Sequence, residues 1–207
     1  METEELSADE LGEADLARSF WTWFVEAEPE FRGLEWIEEI YTELSSRWPR
    51  IGVELAAPEE ASRREIVLTA FGDRSLFPAV MALKKLAPYL SAWKVVAFQQ
   101  PKGFGSTHRR EGLVFETCDM WFCPTGPGGD PSRGLGVLVF AEFEPEDKKI
   151  ALSAVWSILE SALGELCVAE EIHNVDVAPY PDDLHEQLPL HDLPDYLAWH
   201  RKRERSD

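Results

Sequence analysis

The sequence predicts an α+β fold with a mixed sheet of five to six strands in a split β-α-β, ferredoxin-like arrangement. Three observations predict it: a strand–helix–strand unit between Arg64 and Pro101, a pair of strands after it, and an amphipathic helix leading to a closing strand. We expect one domain, with a helical pair in 1–50, the sheet and two crossing helices in 51–178, and a tail with a last helix in 179–207.

The strand–helix–strand unit is the centre of this prediction. Its apolar run Ile66–Phe71 is short and rich in β-branched residues, which is typical of a strand buried on both faces. Asp73 or Ser75 can cap the helix that follows, because a short side-chain oxygen satisfies the free N–H groups of a first turn. Trp93–Phe98 forms the second strand, and a crossover of this length places the two strands parallel.

Two amphipathic helices and a short strand precede this unit. The capping-box pattern Ser7–Glu10 predicts the first helix, which ends at Pro29. The second helix covers about Phe31 to Arg47. Its glutamates fall off the apolar stripe, so they predict a solvated face. Residues 51–57 alternate as in an edge strand, and an exposed edge makes a homodimer plausible.

The second half of the chain predicts strands around one long helix. Residues 102–110, KGFGSTHRR, predict a flexible basic loop. The predicted strands are Leu113–Phe122, Leu135–Phe143 and Ile172–Pro179, and the predicted helices are about Asp147–Ala169 and a last one capped by Asp192. The first two strands flank a connection rich in proline and glycine, so we expect them to be antiparallel.

The charge of the chain limits its partners. A net charge of −19 argues against nucleic acid and anionic membranes, which both select basic surfaces. Residues 1–60 hold 17 acids and 4 bases, whereas residues 61–120 hold 5 acids and 9 bases. This imbalance fits internal complementarity, which is the simpler interpretation, or a docking surface for a basic partner. With no signal pattern and no long apolar run, we expect a soluble cytoplasmic protein.

Cysteine and tryptophan are expected mainly in the core. Cys118, Cys123 and Cys167 are too few and too irregularly spaced for a disulfide framework or a zinc cage. We expect Cys118 to be a small core hydrophobe on a strand. Five tryptophans fall mostly on helical stripes, which favours packing over a binding surface: Trp21, Trp23, Trp36, Trp48 and Trp156.

Three segments carry a resemblance to known sequences. They are SFWTWF (Ser19–Phe24), VLTAFGDRSLFPAV (Val67–Val80) and LAPYLSAWKVVAFQQP (Leu86–Pro101). They resemble a group of bacterial proteins of about this length that are known only as a domain of unknown function. The resemblance runs from about Ser19 to the last helix and implies a bacterial origin, with no activity or site to carry over.

The basic loop 102–110 is the first candidate site. Its glycines would let backbone N–H groups approach a phosphate, and Lys102, Arg109 and Arg110 could pair with the charge. The loop leads into a strand, however, so no helix N-terminus completes an anion site. The alternative is a mobile surface loop.

Carboxylates on the predicted strands are the second candidate. Glu116, Asp119 and Glu142 could serve as general acid and base if two of them shared a dry pocket. Glu116 and Asp119 are an odd number of residues apart, so in a regular strand they point to opposite faces and only one can join Glu142. The alternative is that all three are polar positions on a partly solvated strand.

A C-terminal group of histidines and aspartates is the third candidate. Imidazole and carboxylate groups bind zinc or manganese, but neither an HExxH nor an HxH spacing occurs here. We therefore predict no metal site and no cofactor. The residues concerned are His173, Asp176, Asp182, Asp183, His185, His191 and His200.

These observations favour a non-catalytic protein that acts through protein–protein contact. Its acidic N-terminal helices would bind a basic partner, as in an immunity-type protein that blocks a basic effector. The alternative is a small enzyme or an anion-binding or ligand-binding domain. Its site would lie under the 102–110 loop, near Glu116 and Asp119, with Lys102, Arg109 and Arg110 as ligand-binding residues.

Overall fold

The structure is a computed structural model that describes residues 8–30, 36–56, 63–125, 135–181, 183 and 186–204. The chain divides into two compact units, Met1–Gln99 and Gln100–Asp207, which we call the N-terminal and C-terminal units. Each unit contains its own cluster of buried apolar side chains. The expected single domain stays a prediction. The predicted cap at Ser7 and most of the Pro/Gly-rich connection lie outside the described residues.

The α+β class is confirmed by six α-helices and nine strands in the described part of the chain. The helices are α1 (Ala8–Ala27), α2 (Trp36–Arg47), α3 (Phe77–Leu86), α4 (Lys148–Leu163), α5 (Glu165–Glu171) and α6 (Leu193–Glu204). The strands are β1 (Gly52–Ala56), β2 (Arg64–Thr69), β3 (Trp93–Ala97), β4 (Thr107–Arg110), β5 (Leu113–Glu116), β6 (Trp121–Thr125), β7 (Leu135–Phe140), β8 (Ile172–Ala178) and β9 (Leu188–Pro189). They form three sheets of three, two and four strands, so a single ferredoxin-like sheet is not confirmed.

The N-terminal unit contains the predicted strand–helix–strand crossover. Its sheet has the order β1-β2-β3, with β1 antiparallel to β2 and β2 parallel to β3. Asp73 accepts a hydrogen bond from the Ser75 amide at 3.0 Å and caps the short 3-10 turn before α3. The strand order confirms both the predicted parallel pair, β2 with β3, and the predicted edge position of β1.

The core of this unit is rich in aromatic side chains from the two predicted helices. From α1 it buries Phe20, Trp21 and Phe24, which pack with buried residues of α2 and of the sheet. The Trp21 indole Nε1 donates a hydrogen bond of 2.7 Å to the Leu83 carbonyl oxygen. Leu83 lies in the last turn of α3, where carbonyls have no partner within the helix. Trp21 therefore caps α3 as well as filling the core.

The expected packing role of the tryptophans is confirmed. Trp36 and Trp48 are buried in the N-terminal core together with Trp21. Trp23 is half-buried against the same core, and Trp156 packs in the same way on the core of the C-terminal unit.

The main sheet of the C-terminal unit repeats the connectivity of the N-terminal one. Its order is β8-β7-β6-β9, with β6 antiparallel to β7 and β7 parallel to β8. Helices α4 and α5 occupy the crossover between β7 and β8, as α3 does between β2 and β3. The long helix predicted for this crossover is broken at Gly164, whose φ of +83° is unfavourable for residues with a Cβ atom.

The segment 102–122 differs most from its prediction. The second half of the predicted flexible loop is strand β4, which pairs with β5 in a hairpin through a turn at Glu111 and Gly112. These turn residues have φ values of +48° and +91°, which is the geometry of a tight two-residue hairpin turn. The strand predicted over 113–122 is interrupted by a turn at 117–119, so it becomes β5 and β6.

No single helix in the described residues is both long enough and apolar enough to cross a bilayer. Pro145–Leu163 and Glu165–Glu171 together reach that length and composition, but they are bent by 113°.

The Trp21 cap can be tested by Trp21→Phe. We expect this change to lower the free energy of unfolding by about 2 kcal/mol, because it removes the hydrogen-bond donor and leaves a buried carbonyl without its partner. Urea denaturation followed by circular dichroism measures the change. Tyr89→Phe is the control, since Tyr89 is 85% exposed in the same unit. Equal midpoints for the two variants would contradict the capping role.

The hairpin turn can be tested by Gly112→Ala. An alanine at φ +91° is strained, so we expect the hairpin to lose about 1 kcal/mol of local stability. Amide hydrogen exchange of β4 and β5 reports this loss directly. Gly12→Ala in α1 is the control: its added Cβ meets no atom within 4 Å, so exchange in the hairpin should not change. The turn assignment is wrong if Gly112→Ala also leaves that exchange unchanged.

Candidate functional site

The hairpin β4–β5 positions the predicted basic residues by its alternation. Antiparallel pairing places Arg109 opposite Val114 and Arg110 opposite Leu113. Neighbouring residues of a strand point to opposite faces, so the two arginines diverge. Arg110 shares a face with His108, which pairs with the buried Phe115, and this face is turned toward the core.

The chain before the hairpin is fixed to the end of α4. The amides of Lys102 and Gly103 donate to the carbonyl oxygens of Ser161 and Ala162 at 2.9 and 3.0 Å. The Gly105 amide donates to Thr117 Oγ1 at 2.8 Å. All three amides are therefore occupied, so the predicted cradle of backbone N–H groups for a phosphate is wrong at these positions.

Side chains instead line a groove of about 430 Å³ beside α4, which we call the basic groove. Its lining includes Lys102, Phe104, Ser106, His108 and Ser161. The Ser106 hydroxyl oxygen and His108 Nε2 lie 3.0 Å apart, within hydrogen-bond distance. Burial lowers the pKa of His108 below its usual value, which favours the neutral imidazole.

Arg110 is held against the same helix. Its Nη1 donates to the Ser157 hydroxyl at 3.4 Å, and Ser157 lies one helical turn before the groove residue Ser161. Arg109 is on the opposite face of β4 and is exposed. Of the three basic residues predicted for a site, only Lys102 lines the basic groove, whereas Arg110 contacts α4 beside it and Arg109 lies on the opposite face of β4.

The predicted carboxylates meet in a second cavity of about 300 Å³, which we call the acidic pocket. Glu116, Asp119 and Glu142 all line it, together with Tyr180 and apolar side chains. The prediction that only one of Glu116 and Asp119 could join Glu142 is wrong, because the strand does not run on. Asp119 N donates to the Glu116 carbonyl at 3.0 Å, and this turn redirects Asp119 into the pocket.

Hydrogen bonds fix Glu116 and Tyr180 in the acidic pocket. Thr107 Oγ1 donates to Glu116 Oε2 at 2.6 Å, and the Tyr180 hydroxyl donates to the Asp119 carbonyl at 3.0 Å. Burial, then the charges of Asp119 and Glu142, raise the pKa of Tyr180 above its ordinary value. The charges of both carboxylates therefore act on the Tyr180 phenol, and the pocket concentrates negative potential.

A third cavity lies on the acidic helices of the N-terminal unit, and we call it the helical groove. It is an open depression of about 720 Å³ lined by Trp23, Glu38, Glu39, Thr42 and Glu43. Glu43 pairs with Arg47 at 2.6 Å. Glu38 and Glu39 are exposed and make no ion pair within the described residues.

The third predicted site, of histidines and aspartates, is scattered in the structure. Asp176 accepts a hydrogen bond from Lys148 Nζ at 2.9 Å, and His200 stacks on the Tyr196 ring. Asp182 and His185 lie outside the described residues. In the rest of the chain, where side chains are described, no three His, Cys, Asp or Glu groups are arranged to hold a metal ion.

Cys118 differs from its prediction. It is exposed in the turn at 117–119 rather than buried on a strand. The reason is the buried neighbour Thr117, whose hydroxyl donates to the Ser106 carbonyl at 3.0 Å and so takes the inward position of the turn.

Sequence reasoning missed four residues of these sites. Ser161 and Tyr180 are far from the hairpin in sequence, and no local pattern connects them to it. Ser106 and His108 stood inside the predicted basic loop, and their i, i+2 spacing is the signal that could have placed both on one side of an extended segment.

Comparison of the chain with models of protein families, with curated protein sequences and with solved structures finds no match in any of the three. The resemblance to bacterial domains of unknown function therefore stays a prediction.

The electrostatics of the acidic pocket can be tested by Glu142→Gln. A nearby carboxylate disfavours the phenolate, so removing its charge should lower the pKa of Tyr180 toward the ordinary tyrosine value. The ¹³Cζ shift of Tyr180, followed by NMR as pH rises, measures this. Glu144→Gln is the matched control, because Glu144 is exposed in the same segment and does not line the pocket. An identical Tyr180 pKa in both variants would show that Glu142 does not act on the pocket.

Proposed function

We propose that the protein is a non-catalytic interaction protein that binds a basic partner protein. The observation that carries the proposal is the acidic pocket, where Glu116, Asp119 and Glu142 converge on one cavity with apolar walls. Lysine and arginine combine a cationic head with an apolar stem, so either side chain matches a cavity of this composition.

The aromatic groups of the pocket support the same choice of partner. Trp121 and Tyr180 both line it, and aromatic faces attract ammonium and guanidinium groups. Glu142 makes no hydrogen bond or ion pair within the described residues, so its carboxylate is available to a partner cation.

The helical groove offers a second acidic surface. Glu38 and Glu39 lie in the first turn of α2, where negative charge is favoured by the helix dipole. The dipole favours the charges of Glu38 and Glu39 at this position. The half-buried Trp23 lines the same groove beside them. An acidic rim next to an aromatic side chain suits a basic protein surface, as in the immunity-type interpretation.

Exposed carboxylates contribute to the binding of a basic partner mainly through their number and through long-range attraction. Each exposed pair is worth only about 0–1 kcal/mol, whereas a surface of one sign accelerates encounter with the opposite sign. With a net charge of −19, the protein would attract a basic partner strongly at low salt and weakly at high salt.

The proposal is tested with three double variants of equal charge. Asp119→Asn with Glu142→Gln alters the acidic pocket, and Glu38→Gln with Glu39→Gln alters the helical groove. Glu144→Gln with Glu146→Gln is the control, because these exposed residues line neither cavity. Tagged wild type and variants are used to capture partner proteins from the native host. The captured proteins are eluted with salt, identified by mass spectrometry and then purified for affinity measurement.

We expect a protein of basic isoelectric point that binds the wild type and the control alike and elutes as salt rises. At least one of the two site variants should bind it about tenfold more weakly, because two charge pairs are lost. If all three variants bind the captured protein equally, or if its binding does not depend on salt, the proposal is wrong.

A further inference from the structure

The basic groove differs in sign from the two acidic surfaces and carries an inference beyond the proposed function. Lys102, Arg109 and Arg110 make no ion pair within the described residues, and Arg110 donates instead to the neutral Ser157 hydroxyl. Elsewhere in the same unit, Lys148 pairs with Asp176 at 2.9 Å.

Two structural elements bring the donors of the groove together. Strand alternation puts His108 and Arg110 on the face toward α4, where Arg110 contacts Ser157 at 3.4 Å beside the cavity without lining it. Ser106 precedes β4 and is placed at the groove by its 3.0 Å contact with His108. One turn further along α4, the half-buried Ser161 faces the groove, and its hydroxyl makes no hydrogen bond within the described residues.

The third side of the groove is the anchored segment before the hairpin. The amides of Lys102 and Gly103 are bonded to α4, so Lys102 is held at the groove by its backbone while its side chain is free. A helix C-terminus repels anions, but these two amides neutralise two of the last carbonyls of α4. The alternative role for Lys102 is to complement the negative end of α4. The variant Lys102→Gln separates this role from anion binding.

We propose that the basic groove binds the phosphate group of a small phosphorylated molecule, with Lys102 and Arg110 as cationic contacts and Ser106, His108 and Ser161 as hydrogen-bonding groups. A phosphate is tetrahedral and dianionic, so it accepts hydrogen bonds from donors on several sides, whereas a planar carboxylate uses fewer directions. The volume of about 430 Å³ exceeds that of a phosphate alone and leaves space for an organic group beside Phe104.

The test is an NMR titration of the full chain with inorganic phosphate at constant ionic strength, observing the His108 ring and the backbone amides of the groove. We expect saturable shifts at His108 and Ser161, because both line the cavity. The same titration is repeated with acetate. A saturable response to phosphate that acetate does not reproduce supports the proposal, whereas equal responses overturn the assignment to phosphate.

Arg109 and Arg110 supply a matched pair of variants on opposite faces of one strand. Arg110→Gln should weaken phosphate binding by about tenfold, as expected for one lost charge-assisted contact, while Arg109→Gln should change it by less than about twofold. Lys102→Gln should also weaken it, and Lys102→Arg should restore it. Amide spectra of each variant check that the fold is intact, which is expected because Lys102, Arg109 and Arg110 are exposed.

Two further results would overturn the proposal. One is a linear drift of shifts without saturation, which indicates general screening of charge. The other is equal weakening by Arg109→Gln and Arg110→Gln, because only the net positive potential of the hairpin, and not the groove, would then attract the anion. If Lys102 serves only the helix end, Lys102→Gln lowers stability and leaves phosphate affinity unchanged.

Discussion

The hydrogen bonds that tie residues 102 and 103 to the end of α4 determine the geometry of the C-terminal unit's surface. A helix leaves its last carbonyls without partners, and the Lys102 and Gly103 amides satisfy two of them at Ser161 and Ala162. These two hydrogen bonds fix the chain just before β4. They therefore also fix which face of the β4–β5 hairpin is turned to α4. Together with the Arg110–Ser157 contact, these bonds hold the hairpin beside Ser161, so both line one cavity.

Thr117 has a comparable role at the same open end of the hairpin, where it directly follows β5. It is buried, it accepts from the Gly105 amide and it donates to the Ser106 carbonyl, so one hydroxyl joins both sides of the segment. The turn it occupies moves Asp119 off the line of β5 and toward Glu142 and Tyr180. A buried hydroxyl with both of its hydrogen bonds made is stable, whereas one left unpaired would be costly. The acidic pocket therefore depends on a residue that does not line it.

The parts of the fold that the sequence predicted are those specified by local pattern. The apolar runs around α3 required a strand, a helix and a strand, and the parallel pairing of β2 and β3 followed from the crossover length. Strand β4 was missed because THRR has no apolar alternation, and its pairing depends on a turn at Glu111–Gly112 without a strong sequence signal. The charges of Lys102 and Arg110 predicted an anion site, but no spacing rule predicts that Ser161, about sixty residues away, lines the same groove as Lys102.

Two cavities, the basic groove and the acidic pocket, lie beside one small hairpin, and the charges of the hairpin are divided between its two faces. Glu116 is held by Thr107, and neither Arg109 nor Arg110 forms an ion pair with it in the described structure. Strand alternation separates Arg110 from the acids by placing it on the other face. Surface ion pairs contribute only about 0–1 kcal/mol, so leaving these charges unpaired costs the fold little. The basic groove and the acidic pocket are therefore separate cavities, with Lys102 lining the first and Glu116, Asp119 and Glu142 lining the second.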